Sequence, residues 1–271
     1  MKRFCTRART FLQVYYGVMT EYRAEMFLWA IATSLPLIMM GVWMQAGASG
    51  RFPMTEADLA RYFVAVFIVR QLSIAWVIYD FEYHVVTGRL SPLLLQPIDP
   101  VWRFVVPHLS EQLARLPFVV VLVAFVLWLY PAALQSPDGS DQLWWPAWWQ
   151  VAAAGCMTYC AFCLRFLMQY TLAMLAFWVE RVVAFDRLLM IPYLFLSGLI
   201  APLEVFPDSV RRIAELTPFP YLVWFPARLL SGNPVPLTQG VIVIVGWTLA
   251  LYALSRYVWA RGLRHYSAMG A

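Results

Sequence analysis

Four residues in this sequence stand where polar side chains are rare. Arg70 and Gln71 fall inside the hydrophobic run YFVAVFIVRQLSIAWVIY, and Arg165 and Gln169 fall inside a second run that leads to Trp178. A charge at bilayer depth costs about 2.5–3.5 kcal/mol on insertion scales, so it normally faces a bundle interior or a partner. Such residues could line a polar path or form a gate. A structural ion pair, snorkelling, or a span shifted by several residues would account for Arg70 equally well and for Arg165 better, since Arg165 could lie close to the inner end of its helix. Cys156, Cys160 and Cys163 recur at i, i+4 and i+7 on one helical face. Thiolates so spaced could hold a soft metal. No histidine or acid accompanies them, so they read as small residues for close helix approach, and no metal is expected. His84, His108 and His265 are scattered without a zinc-binding spacing, and no Ser-His-Asp set can be assembled. Asp80 and Glu82 are paired acids beside Arg89, and solvated electrostatics explains them. The single lysine is Lys2. A phosphate-binding loop needs a lysine after its glycines, so ATP hydrolysis by that machinery is not a property of this chain.

The elements that must position these residues are membrane helices. Of 271 residues 62% are hydrophobic and 13% charged, with a mean hydropathy of +0.66. Soluble domains carry roughly 25% charged residues. Residues 1–25 hold Lys2, Arg3, Arg7, Arg9 and Arg23 among Phe4, Phe11, Tyr15 and Tyr16, the pattern of a basic amphipathic helix lying at a membrane surface. No short apolar stretch with a small-residue cleavage site comes after the basic start, so this region does not read as a signal peptide.

Six spans of roughly 20 residues fit the length. They are predicted at 26–46 with a kink at Pro36, near 62–79, strongest at 116–133, from the tryptophan belt at 144–149 to about 178, at 188–203, and at 238–258. A Gly-rich loop, GASGRFPMTEAD, follows the first span, and a loop with Asp138 and Asp141 precedes the tryptophans. The stretch 179–187 reads as a short charged connection. Residues 204–234 read as two short helices broken at Thr217–Pro220, partly sunk in the membrane on the far side and shielded by neighbouring protein. The whole chain, 1–271, reads as one all-α transmembrane domain. With the N-terminus in the cytoplasm, thirteen basic residues, among them Arg103 and Arg115, fall inside and five outside. That bias puts both termini inside. It also explains the net charge of +5 better than nucleic-acid binding does.

The segment 80–103 is then cytoplasmic. Gly88 can close the preceding helix with a left-handed cap. Ser91–Pro92 offers an N-cap with proline at the first helical position, and Pro97 and Pro100 stop the helix that starts there. The expected product is a short, stiff helix with Leu93, Leu94 and Leu95 exposed for a groove on another protein.

Here the sequence resembles a known family. EYHVVTGRLSPLLLQPIDP, residues 82–100, looks like the segment after the second span in permease subunits of type-2 ABC exporters, and looks closest to the viologen-exporter-like branch of ABC-2 family permeases. LSGLIAPLEVFPDSVRRIAELTPFPY, residues 196–221, resembles the family's proline-marked turn into an extracellular re-entrant hairpin, here with Pro202, Pro207 and Pro218. The resemblance implies a bacterial inner-membrane permease. Two copies, or a copy and a paralogue, would form the path, and separate ATPase subunits would bind ATP and Mg. Glu82, Gly88, Arg89, Leu90, Leu93, Leu94 and Pro97 would then belong to a coupling helix seated in an ATPase cleft, with the N-terminal helix alongside. The alternative is a membrane-embedded enzyme or assembly factor without ATPase partners.

Overall fold

The computed structural model describes residues 2–47, 54–135 and 143–268, and its β pairing among them is one isolated bridge, Gln135–Leu143. Residues 48–53 of the Gly-rich loop and both acids of the Asp138–Asp141 loop lie outside the described residues. Helix α1 (Lys2–Glu21) packs along the first half of α7 (Val101–Leu129). The Arg103 guanidinium lies 5.9 Å from the Phe11 ring centroid, and the Ser110 hydroxyl donates to the Leu12 carbonyl at 3.4 Å.

The first span is two helices, α2 (Arg23–Ala32) and α3 (Leu35–Gly47). The break falls at Thr33–Ser34, just upstream of the predicted kink. The Pro36 ring would clash with the carbonyl four residues earlier, that of Ala32, where α2 stops. Helix α4 (Glu56–Ser73) starts six residues before the predicted span. Thr55 caps it, accepting from the Asp58 N–H at 3.2 Å while the Asp58 carboxylate accepts from the Thr55 N–H at 3.2 Å. That reciprocal cap is a helix-start signal which hydropathy alone passes over. Helix α4 is buried on every side and forms the axis of the protein around Tyr62, Phe63 and Phe67. Such all-round apolarity marks a core helix.

Residues 74–76 interrupt the chain before α5 (Val77–Val86). The break leaves the Trp76 N–H without a helical acceptor, and His108 Nε2 takes it at 2.7 Å while His108 Nδ1 donates to the Phe104 carbonyl at 2.6 Å. The short α6 (Leu90–Leu94) comes next, then α7, then α8 (Trp148–Ala173) with a 3-10 turn at Met174–Phe177. Helix α7 runs unbroken from Val101, so Arg115, counted among the cytoplasmic charges, lies midway along a long helix. It is wholly buried, ion-paired with Glu111, and donates to Gln71 Oε1 at 3.2 Å.

Helix α9 (Val183–Leu196) also differs from the prediction. It begins inside the expected charged connection, taking Asp186 and Arg187 onto the helix, and ends midway through the expected span. Gly198 turns the chain with φ +81°, and the Tyr62 hydroxyl donates to its carbonyl at 2.7 Å. A Cβ at 198 would come within 2.5 Å of that hydroxyl and 2.7 Å of Trp224 Cβ. At 14 residues, α9 rises about 21 Å, short of a hydrocarbon core of about 30 Å. Among the described residues, five stretches are long and apolar enough to cross a membrane by length and composition: Arg23–Gly47, Glu56–Val86, Val101–Leu129, Trp148–Phe177 and Leu237–Tyr266.

The predicted hairpin folds as three helices rather than two: α10 (Asp208–Leu216), α11 (Phe219–Leu222) and α12 (Trp224–Leu230). The first break is at Thr217–Pro218, as expected. The second is at Val223, whose φ −140°, ψ −59° interrupts the helix. Pro202 is buried ahead of a 3-10 turn, Pro207 precedes α10 and Pro218 precedes α11. Helix α12 wedges between α4 and α8, and Glu204 holds it from outside by accepting from Trp224 Nε1 at 3.2 Å and lying 3.1 Å from Arg228 Nε. The last helix, α13 (Leu237–Ala268), runs ten residues past the predicted span.

Candidate functional site

Two places gather the residues singled out by the sequence. The first is the elbow after α5. Gly88 has φ +72°, the left-handed conformation that glycine adopts without a Cβ penalty, and turns the chain straight into α6. The helix starts at Leu90, not at Pro92 behind a Ser91 cap as expected. The reason is tertiary. Leu90 is wholly buried in the aromatic cluster of Phe81, Phe104, Phe177 and Trp259, and the Ser91 hydroxyl meets the Tyr266 hydroxyl at 3.0 Å instead of capping a helix. Leu93 is half-buried against the same cluster. Leu94 and Leu95 are exposed, Leu95 at 88%. Leu90 therefore anchors the elbow, and the free apolar face is Leu94–Leu95 rather than an even patch.

The rest of the elbow is equally tied down. The Glu82 carboxylate accepts from the Val183 N–H at 2.8 Å, capping the N-terminus of α9, where a negative charge also suits the helix dipole. Arg89 is exposed and stacks over Tyr83 at 5.2 Å, and Pro97 is exposed past the helix end. Asp99 caps α7 through the Val101 N–H at 3.0 Å and lies 3.6 Å from Arg256 of α13. The elbow is thus pinned to α9 at one end and to α13 at the other.

The second place is the set of polar residues in the apolar helices, which the structure divides in two. Gln71 joins a network with Arg115, donating through Nε2 to the Ala30 carbonyl at 3.1 Å and to the Thr33 hydroxyl at 2.9 Å. It ties the α2–α3 break to α4 and α7. Arg70 and Arg165 converge instead on Tyr193 of α9, with the Arg165 guanidinium 4.2 Å from the ring centroid. Gln169 sits beside them and donates to Asp186 at 3.1 Å. Arg165, Gln169, Asp186 and Tyr193 line a small cavity between α8, α9 and α11, with Arg70 reaching Tyr193 from α4.

Sequence reasoning missed Tyr193 and a larger cavity. That cavity, about 650 Å³, lies between α1, α2, α5 and α7 and is walled by Trp29, Trp76 and Tyr79 with Glu25, Asp80 and Glu111. Trp29 and Trp76 are 47 positions apart in the chain, yet their rings lie 5.6 Å apart. No local pattern could have paired them. Cys156 and Cys163 are exposed and Cys160 is half-buried, so within this chain the cysteine face does not serve the close helix approach expected of it. Among the described residues no group of three metal-ligating side chains gathers.

No curated protein matches the sequence. The family model described as ABC-2 family transporter protein matches residues 56–270, a stretch that takes in both the elbow and the short helices after α9. The chain belongs to the ABC-2 transporter family and is a membrane component of an ABC transporter.

Proposed function

We propose that this chain is the permease subunit of an ATP-driven exporter in a bacterial inner membrane, with six crossings and both termini in the cytoplasm. Two copies, or one copy and a paralogue, form the path. Separate ATPase subunits bind ATP and Mg and drive it. Helix α9 with the Gly198 turn makes the short fifth crossing, and helices α10 to α12 form the re-entrant structure on the outer side. Helix α1 lies at the inner surface beside the elbow. The assignment to the viologen-exporter-like branch draws its support from the motif at 82–100.

The observation that carries this reading is the elbow. It is a five-residue helix fixed by Leu90, Ser91 and the Gly88 turn that still leaves Leu94 and Leu95 bare. A rigid mount under an exposed apolar tip suits transmission of movement from a partner's groove to α5, α9 and α13, the helices that hold it. The first test is co-purification with an ABC ATPase encoded beside the gene. Wild-type chain should form the complex and raise or restrain its ATPase activity. Leu94→Asp and Leu95→Asp should lose both effects while eluting as folded protein. Complexes of unchanged yield and activity with both variants would overturn the coupling assignment.

A further inference from the structure

Five arginines wholly or partly withdrawn from solvent differ in what the fold gives them. Arg61 has Asp58 at 3.5 Å and the carbonyls of Ala133 and Gln135. Arg115 has Glu111 and Gln71, and Arg228 has Glu204. Arg70 is only 9% exposed, yet its Nε and Nη1 have no hydrogen-bond partner. Arg165, half-buried beside it, has an unpartnered Nε. Among the described residues no carboxylate lies within ion-pair distance of either guanidinium. The acid of this neighbourhood, Asp186, is engaged by Gln169.

The orphan groups lie together. The Tyr193 hydroxyl is buried within interaction range of both guanidiniums, and Gln169 Oε1 is buried and unpaired. A buried cation without a counter-charge is strongly unfavourable, and burying two beside each other compounds that. Elsewhere the fold pairs its buried arginines with acids; here the nearby acid, Asp186, is taken by Gln169, and a cavity stands beside the guanidiniums. That cavity holds about 40 Å³ and is lined by Arg165, Gln169, Tyr193 and Asp186 on the polar side, the Asp186 carboxylate being bonded to Gln169, and by Met168, Leu189 and Met190 on the apolar side. Its volume suits a small head group and not a whole amphiphile. Beyond Met190 the outer face of α9 continues apolar through Leu188, Ile191 and Phe195, all exposed.

We infer that Arg70, Arg165 and Tyr193 bind the anionic head group, a carboxylate or phosphate, of an amphiphile whose chain lies along Met190 and the apolar face of α9. The guanidiniums only donate, the phenol can donate its O–H, and an anion is all acceptor, so the hydrogen-bond inventory matches. The inference rests on the transport reading only for the step from binding to passage. The binding itself needs no ATPase.

The test uses the full chain purified in a neutral maltoside detergent. Dodecyl phosphate, dodecanoate, dodecyltrimethylammonium and inorganic phosphate are titrated separately, reading thermal stability and calorimetric binding. The two alkyl anions should bind and raise the melting temperature, and the alkyl cation should not. Arg70→Gln and Arg165→Gln should each weaken alkyl-anion binding at least tenfold, with Tyr193→Phe losing less and Arg165→Lys retaining part. The unliganded Arg70→Gln protein should melt at or above the wild-type temperature, because an unpaired buried charge has gone. If the arginines are purely structural, Arg70→Gln melts lower and Arg165→Gln binds alkyl anions as wild type does, and the inference fails. Equal binding of the alkyl cation also defeats it. Native mass spectrometry separates the sources. A phospholipid retained by wild type and lost in Arg165→Gln identifies a membrane lipid, whereas binding only of added amphiphiles identifies a cargo. Protection by inorganic phosphate alone identifies a head-group site with no demand for a tail, which removes the α9 part of the proposal. An ATPase that fails to co-purify while alkyl anions still bind would count against the coupling reading and leave this one standing.

Discussion

The hydroxyl of Ser91 on α6 meets the hydroxyl of Tyr266 on α13 at 3.0 Å, across 175 positions of sequence. The bond ties the elbow to the last helix, and Tyr266 itself is buried against Phe177 and the cluster that holds Leu90. Removing either hydroxyl should loosen the same contact. Ser91→Ala and Tyr266→Phe should each lower stability by about 0.5–1.5 kcal/mol, the usual net worth of one hydrogen bond. The double variant should be less than additive, since both changes remove one interaction. Thermal unfolding of the four proteins in detergent gives the coupling energy, and strict additivity would mean that the bond is not formed.

Gly88 tests backbone strain apart from packing. A Cβ there meets nothing within 4 Å, so any loss from Gly88→Ala is conformational, on the order of 1–2 kcal/mol for an L-residue in the left-handed region. Gly88→Asn should recover part of it, because asparagine visits that region more readily. Melting temperatures ordered glycine, asparagine, alanine would support the assignment; alanine equal to glycine would refute it.

His108 is placed to satisfy the orphan N–H of Trp76 at the α4–α5 break. His108→Leu fills the volume but leaves that donor buried and unpaired, which costs about 1–3 kcal/mol. The change should also raise hydrogen exchange at Trp76 and the first turn of α5. An unaltered exchange pattern would show that the break is held by packing alone.

Glu82 caps α9 through the Val183 N–H. Glu82→Gln keeps an acceptor and loses only the charge–dipole interaction, about 0.3–1 kcal/mol, whereas Glu82→Ala also loses the cap, about 0.5–2 kcal/mol. Stability measured across ionic strength separates the two. The difference between Glu and Gln should shrink with salt, and that between Gln and Ala should persist.

Much of the architecture is legible in the sequence alone. The apolar runs announce membrane helices, Pro36 announces the break in the first, Gly88 announces a left-handed turn, and the missing lysine motif leaves no ATPase of that kind in the chain. These features are local: a hydrophobic run, a proline ring or an absent Cβ acts on its own neighbours and carries the same meaning in any fold. Which partner each polar residue meets is decided only by the tertiary structure. Arg70 and Gln71 are adjacent in the chain, yet helical rotation sends Gln71 into a network with the acid-paired Arg115 and Arg70 to one with Arg165 and Tyr193. Leu90 and Leu95 are five positions apart, and packing buries one and bares the other. Ser91 has the character of a helix cap, but Tyr266, from the far end of the chain, takes its hydroxyl. Helix α9 has the composition of a span, but Tyr62 and Trp224 close on Gly198 and end it. In each case the deciding energy is a long-range contact, and its partner is not written near the residue it controls.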